Sequence, residues 1–300
     1  MTEDAFFARL FARLPKPSDA WVVPPGDDCA ALAHGSELLL LAVDQIVGGK
    51  HYYLTGPHET PPEAAGRKLL ARNLSDIAAM GGVPTACLLA GAFGPARDPS
   101  WLERFYDGTI ALADEYNVTM VGGDLASTPN DDVASLTILG RVEADRVCRR
   151  SGARPGDVLL ATGTFGSSLG TGHHLSFTPR CREGRWLATR GFAHAMMDVS
   201  DGLLLDASRI CQASQVALRL DPDAVPRRTP QTTVAQALGD GEDYELLVAV
   251  GEEEAEALLA QWPFADVPLT PVGRFLAAAV PQIVDSTGQP MAVQGYDHLS

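Results

Sequence analysis

The chain lacks any run of about 18 apolar residues, so no membrane-spanning helix is expected. Basic side chains are scarce. The 300 residues carry 23 lysines and arginines against 38 aspartates and glutamates, a net charge of −15. That balance excludes a protein that grips nucleic acid through its phosphates, which needs a basic patch. Cysteines are few, odd in number and far apart: Cys29, Cys87, Cys148, Cys181 and Cys211, with no CxxC pair. This spacing excludes a disulfide framework and a zinc site, and the expected location is the reducing cytoplasm. The opening residues Met1-Thr2-Glu3-Asp4-Ala5 are acidic and precede no apolar core with a cleavage site, so no secretion signal is expected. Low-complexity tracts and short repeats are missing too. At 46% hydrophobic and 7% aromatic, the composition is that of a globular protein able to bury a substantial core.

What the chain has is a series of short acidic motifs. They are Gly26-Asp27-Asp28, Val43-Asp44, Asn73-Leu74-Ser75-Asp76, Gly122-Gly123-Asp124, Asp198-Val199-Ser200-Asp201-Gly202 and Gly241-Glu242-Asp243-Tyr244-Glu245. Most fall where an apolar run ends or beside a glycine, where carboxylates converge on a cleft and backbone is open to close approach. Several carboxylates with few cations among them suit hard cations. Mg²⁺ takes oxygen ligands and is typically shared between carboxylates and substrate phosphates. An acidic protein that binds phosphate also needs bound cations to invert its local field. The pattern points to an enzyme handling a polyphosphate through Mg²⁺.

Periodicity predicts a helix over residues 4–14, a strand over 38–43 with Asp44 at its end, and a helix over 61–80 bounded by prolines and Gly81-Gly82. Further along it predicts a strand over 85–92, whose Ala and Leu content also allows a helix, then a helix over 100–116 capped by Ser100, and strands over 118–121 and 134–142. A polar, turn-rich stretch follows, and the domain boundary is expected near residue 146, giving domains 1–145 and 146–300. The second half reads as a strand over 158–161, a glycine-rich turn over 162–172 and a polar loop with Pro179-Arg180. A helix over 203–213, strands over 216–220 and 244–250, a helix over 252–261 and a strand over 269–272 complete it. Strands and helices mix in both halves, so the fold class is α+β or mixed α/β.

Each motif has two readings. Asp27-Asp28 is either a surface turn or a metal ligand with its supporting neighbour. Asp76, inside a helical pattern between Leu74 and Ile77, is at least half buried, and a carboxylate there needs a partner. Asp124 follows two glycines after a β run. Ser200 or Asp201 caps the following helix, or its N-terminus holds a phosphate. Thr162-Gly163-Thr164-Phe165-Gly166 lacks the GK[ST] of a P-loop. His51 is either a substrate contact or a satisfied surface histidine. His173-His174 is expected in a solvated loop. No Ser-His-Asp or Cys-His arrangement is present, and no general base is assigned.

The order and spacing of these motifs resemble the thiamine-monophosphate kinases, a family of the aminoimidazole-ribonucleotide-synthetase-like superfamily. The match runs from Gly26-Asp27-Asp28-Cys29-Ala30 to Gly295-Tyr296-Asp297-His298 and is most specific in residues 73–81, 200–203 and 241–246. The resemblance implies two α+β domains, with the N-terminal ones pairing in a homodimer through a shared β-barrel. It implies transfer of phosphate from ATP to thiamine phosphate, giving thiamine diphosphate. Asp28, Asp44, Asp76, Asp124, Asp198 and Asp201 would hold several Mg²⁺ ions. Gly123, Asp124, Arg150 and Ser200 would contact ATP, and His51, Glu242 and Tyr296 would line the thiamine phosphate site. The nucleophile is an already ionised phosphate oxygen, so the obstacle is anion repulsion, which metals and in-line positioning relieve.

The chain departs from the family at several points. Ala42 and Val43 replace hydroxyl residues, Leu125-Ala126-Ser127-Thr128 lacks an arginine, Ser167 replaces an acidic residue, and Asp240 replaces a glycine. These leave open two alternatives: a related enzyme acting on another small molecule, and a non-catalytic binder of nucleotide or thiamine phosphate.

Overall fold

The computed structural model describes residues 1–297; His298 of the terminal motif lies outside them. Two six-stranded sheets organise the chain. The first half supplies helix α1 (Glu3–Phe11) and strands β1 (Trp21–Val23), β2 (Ala30–His34) and β3 (Glu37–Val47), then helix α2 (Pro62–Ala79), strand β4 (Val83–Phe93), helix α3 (Pro99–Glu115), and strands β5 (Thr119–Ser127) and β6 (Val133–Glu143). These strands order as β1-β2-β3-β6-β4-β5. The second half gives strand β7 (Val158–Thr162), short helices α4 (Ser168–Thr171) and α5 (His173–Ser176), helix α6 (Cys181–Arg190), strand β8 (Ala193–Asp198), helix α7 (Leu203–Ser214) and strand β9 (Ala217–Leu220). Helix α8 (Val234–Gly239), strand β10 (Leu246–Val250), helix α9 (Glu252–Gln261), and strands β11 (Leu269–Leu276) and β12 (Gln282–Val284) complete it. Their order is β12-β9-β11-β7-β10-β8.

Helix α2 is the spine. It begins with proline at its first turn and ends before Gly81 at φ +68°, a left-handed position that suits glycine. Thirteen of its eighteen residues are buried, because it packs on β3, β6 and α3 of the first half and on α6 and β8 of the second. Gly184 of α6 permits the close crossing: a Cβ there would stand 2.2 Å from the Ala78 carbonyl oxygen. No helix among the described residues is long and apolar enough to cross a membrane, and the five cysteines are free and buried.

Several local expectations need correction. Asp44 does not end its strand. β3 continues to Val47 because Gln45, Ile46 and Val47 keep pairing with β6. Gly122-Gly123-Asp124 lies within β5, not after it, paired in parallel with Leu88, Leu89 and Ala90 of β4. Asp98, not Ser100, caps α3, its carboxylate accepting from the Trp101 N–H at 2.7 Å. Gly202 is the N-cap of α7, so neither Ser200 nor Asp201 is. Tyr244 does not alternate into β10. Its φ is +52°, and it stacks on Phe177 at 4.0 Å between ring centroids. The pair His173-His174 is helical, and His174 is buried at 2% exposure.

Candidate active site

Helix geometry brings Lys68, Arg72, Ser75 and Asp76 onto one face of α2, at positions i, i+4, i+7 and i+8. That face meets the turn between β1 and β2, the end of β8, and the loop before β10. There the carboxylates of Asp28, Asp76 and Asp198 each place an oxygen within 4.8 Å of the others. Ser75 Oγ donates to Asp198 at 2.5 Å, tying α2 to β8. Arg150 forks onto Asp28 at 2.6 and 3.1 Å, and its backbone N–H donates to Asp27 at 3.2 Å. One oxygen of Asp28, Oδ2, is buried with no hydrogen-bond partner among the described residues. An orphaned carboxylate oxygen in a three-carboxylate cluster is a good cation ligand, and this donor set fits Mg²⁺.

The remaining acidic residues are arranged differently. Asp44 is held by Arg72 at 3.2 and 3.3 Å, and its backbone N–H donates to Asn73 Oδ1. Asp201 accepts from Arg209 at 2.7 Å; Arg209 also binds Asp206 and reaches Asp4 of α1. Asp44 and Asp201 both line an acidic cleft of about 580 Å³ together with Asp27, Asp28, Asp76 and Asp198. Gly123 and Asp124 do not line it. They lie on the edge strand, Gly123 in register with Asp44 and Asp124 with Gln45 through β6 and β4, three strand spacings or roughly 14 Å away. Gly123 has a packing reason of its own, since a Cβ there would lie 1.9 Å from the Leu89 carbonyl oxygen.

A smaller pocket adjoins the cleft. His51, Lys50, Glu242, Tyr244 and Tyr296 line it, and it shares Arg72, Ser200 and Asp201 with the cleft. His51 Nδ1 accepts from the Val47 N–H at 2.9 Å, which leaves Nε2 to carry the proton of the neutral ring. Tyr296 is anchored by its own N–H to the Asp201 carbonyl at 2.8 Å. Glu242 and Tyr244 have φ values of +54° and +52°, a conformation costly for side chains of this size and common at functional sites. It persists because Glu242 N–H donates to Ser200 and Tyr244 N–H to Val199. Within the same motif Glu245 is committed to Arg180 at 2.6 Å, and Asp243 to Arg228 at 2.7 Å. Of the three acidic residues of the motif, Glu242 is the one that lines the pocket.

Two residues not singled out from the sequence belong to this site. Lys68 is fully buried, and its Nζ donates to Glu242 at 2.7 and 2.8 Å and to the His51 carbonyl at 2.8 Å. Burial lowers its ammonium pKa to about 8, opposed by Glu242. Arg72 is the other. Their spacing of four and eight residues before Asp76 was the available signal.

Electrostatics of the cleft follow from burial. Burial first, then Asp44, Asp198 and Asp28, holds the Asp76 carboxyl well above the usual range. Burial and Asp28 do the same to Asp198. Asp27 is pushed up to about 6 by burial and Asp28, and Asp206 to about 7 by burial and Asp201. A carboxyl with a raised folded-state pKa is more stable folded at low pH, and that contribution is lost as pH rises through the folded value. The cation-free protein should therefore melt higher at pH 5.5 than at pH 8, by at least about 1.5 °C, the shift of ~1 kcal/mol in a chain of this size. Mg²⁺ should recover the loss at pH 8. Thermal melts at both pH values check this; a higher melt at pH 8 without cation would contradict it.

Comparison with known proteins agrees with this architecture. Residues 26–142 match the N-terminal domain model of AIR synthase related proteins, and residues 154–285 match the C-terminal domain model. Fold and sequence thus define a two-domain AIR synthase related protein. A thiamine-monophosphate kinase of Salmonella typhimurium is 34% identical over 99% of this chain and 98% of its own. The structure of AaThiL complexed with AMPPCP and TMP superposes with a TM-score of 0.84 at 27% identity, covering 99% of this chain and 97% of that one. Thiamine-monophosphate kinase from Stenotrophomonas maltophilia gives a TM-score of 0.75 at 32% identity, over 96% of each chain. The chain belongs to the thiamine-monophosphate kinase family.

Proposed function

We propose that this protein phosphorylates thiamine phosphate to thiamine diphosphate with ATP, by direct in-line transfer assisted by several Mg²⁺ ions. One observation carries the reading: the three-carboxylate cleft opens, across Arg72, Ser200 and Asp201, onto a pocket walled by His51, Glu242 and Tyr296. Family membership supports the substrate pair. Bound Mg²⁺ supplies charge neutralisation for the polyphosphate. Asp28, Asp76 and Asp198 would hold it, with Asp44 and Asp201 on the cleft walls. Arg150 and Ser200 flank the nucleotide, while Glu242, oriented by Lys68, and Tyr296 orient the acceptor. No side chain needs to remove a proton, because the acceptor phosphate is ionised at neutral pH. ADP release that requires both thiamine phosphate and Mg²⁺, and that thiamine does not elicit, tests the reading; ADP release indifferent to thiamine phosphate would oppose it.

The site is completed in a homodimer, and the domains divide near residue 146. Support for pairing comes from the first sheet. Val43 and Leu88 share its face away from α2, in register through Thr137, and are 64% and 41% exposed. Val121 and Leu125 on β5 are exposed as well. An open apolar face of this kind marks an interface, and pairing through it would offer Gly123 and Asp124, which do not line this chain's own cleft, to that of a second copy. Leu88→Glu should convert the dimer to a folded monomer that has lost most turnover, read by light scattering and the ADP assay. An active monomeric variant would oppose a shared site. The five free, buried thiols support a cytoplasmic location.

Tyr296 is 45% exposed on the rim of the small pocket. A flat cationic ring against its face gains ~0.5–2 kcal/mol. Tyr296→Ala should raise the KM for thiamine phosphate severalfold and leave that for ATP nearly unchanged. A matched loss for both substrates would mean that the tail only supports the fold.

A further inference from the structure

The cleft and the small pocket meet at Arg72, Ser200 and Asp201, and Arg72 supplies the cationic group of that junction. The other cations nearby are placed differently. Lys68 is spent on Glu242 and the His51 carbonyl. Arg150 and Arg209 line the cleft but not the small pocket. Lys50, exposed at the pocket rim, lines the pocket but not the cleft.

The Arg72 side chain is held in place by groups of β3, at 11% exposure. Its Nε and Nη2 donate to Asp44 at 3.2 and 3.3 Å, and its Nη1 to the Gln45 carbonyl at 3.2 Å. A guanidinium has five N–H groups, so two remain without a partner among the described residues. An arginine locked by a carboxylate, with donors to spare and walls on two cavities, is built to hold a tetrahedral anion between them.

We propose that Arg72 is a phosphate-binding residue that clamps the phosphate-monoester end of the acceptor where the two cavities join. It thereby discriminates a phosphorylated acceptor from its dephosphorylated counterpart. This rests on the functional reading above and adds to it a residue that reads the acceptor's phosphate. Arg72 stays paired with Asp44 throughout, so Asp44 is a buttress for the clamp as well as a wall of the cleft.

The test is calorimetric, with full-length protein, Mg²⁺ and no ATP, so that nothing turns over. Thiamine phosphate and thiamine are titrated into wild type, Arg72→Met and Arg72→Lys. Wild type should prefer thiamine phosphate. In Arg72→Met that preference should fall by about tenfold or more, the scale of a lost charge-assisted pair, while affinity for thiamine changes less than about twofold. Arg72→Lys keeps the charge but not the fork and should fall in between. If Arg72→Met does not fold, Arg72→Lys carries the test. A folded variant with an undiminished preference, or an equal loss for both ligands, would overturn the inference and leave the functional reading standing. Wild type that binds neither ligand would overturn the functional reading and the inference with it.

Discussion

Asp76→Asn should lower turnover by at least about 100-fold with the fold intact, the scale of a lost electrostatic group at a phosphoryl-transfer site. Asp76 sits beside Ser75, whose hydroxyl is bonded to Asp198, and before Ile77, which is fully buried. Its backbone is therefore fixed by α2, and asparagine keeps the shape. In the cation-free protein, Asp28, Asp76 and Asp198 repel one another within 4.8 Å. Removing one charge relieves that repulsion, so the variant's melting temperature without Mg²⁺ should equal or exceed that of wild type. Stability and activity then move in opposite directions, which separates a lost cation ligand from a damaged helix. Parallel melts and turnover assays read both. A folded, fully active variant would reduce Asp76 to a structural residue.

Nucleotide affinity should collapse on removing divalent cation, by about 100-fold or more, and return with Mg²⁺ or Mn²⁺. The cleft presents Asp27, Asp28, Asp44, Asp76, Asp198 and Asp201 against Arg72, Arg150 and Arg209. All three arginines are already paired with these carboxylates. A triphosphate thus meets a surplus of negative charge that only added cations reverse. Calorimetric titration of a non-hydrolysable ATP analogue, with and without chelator, measures the effect. Equal affinity in both conditions would count against the cleft as the nucleotide site.

Much of this architecture was legible in the sequence because strong local signals agree with the fold. Helix α2 has proline at its start, glycine at its end and an apolar periodicity between, and it forms within two residues of where the pattern puts it. The acidic motifs were legible as a set, and three of their carboxylates meet. What was not legible depends on tertiary contact. β3 runs past Asp44 because β6 is there to pair with it. Helix α6 went unread since its buried face includes Cys181, Glu183 and Gly184, a polar stripe that packs against α2 instead of a run of large apolar residues. Glu242 and Tyr244 adopt left-handed backbone that neither residue prefers, imposed by the Val199–Ser200 carbonyls. Lys68 and Arg72 read as ordinary helix-surface cations until Glu242 of the second half pairs with the buried Lys68 and Asp44 of β3 confines Arg72.

The most direct test follows the phosphorus itself. Protein is incubated with γ-labelled ATP and thiamine phosphate, with and without Mg²⁺, and the labelled products are separated. The account predicts that label passes into thiamine diphosphate in step with ADP formation, only when Mg²⁺ is present. Label appearing in free phosphate regardless of thiamine phosphate, or no label leaving ATP in the presence of Mg²⁺, would contradict it.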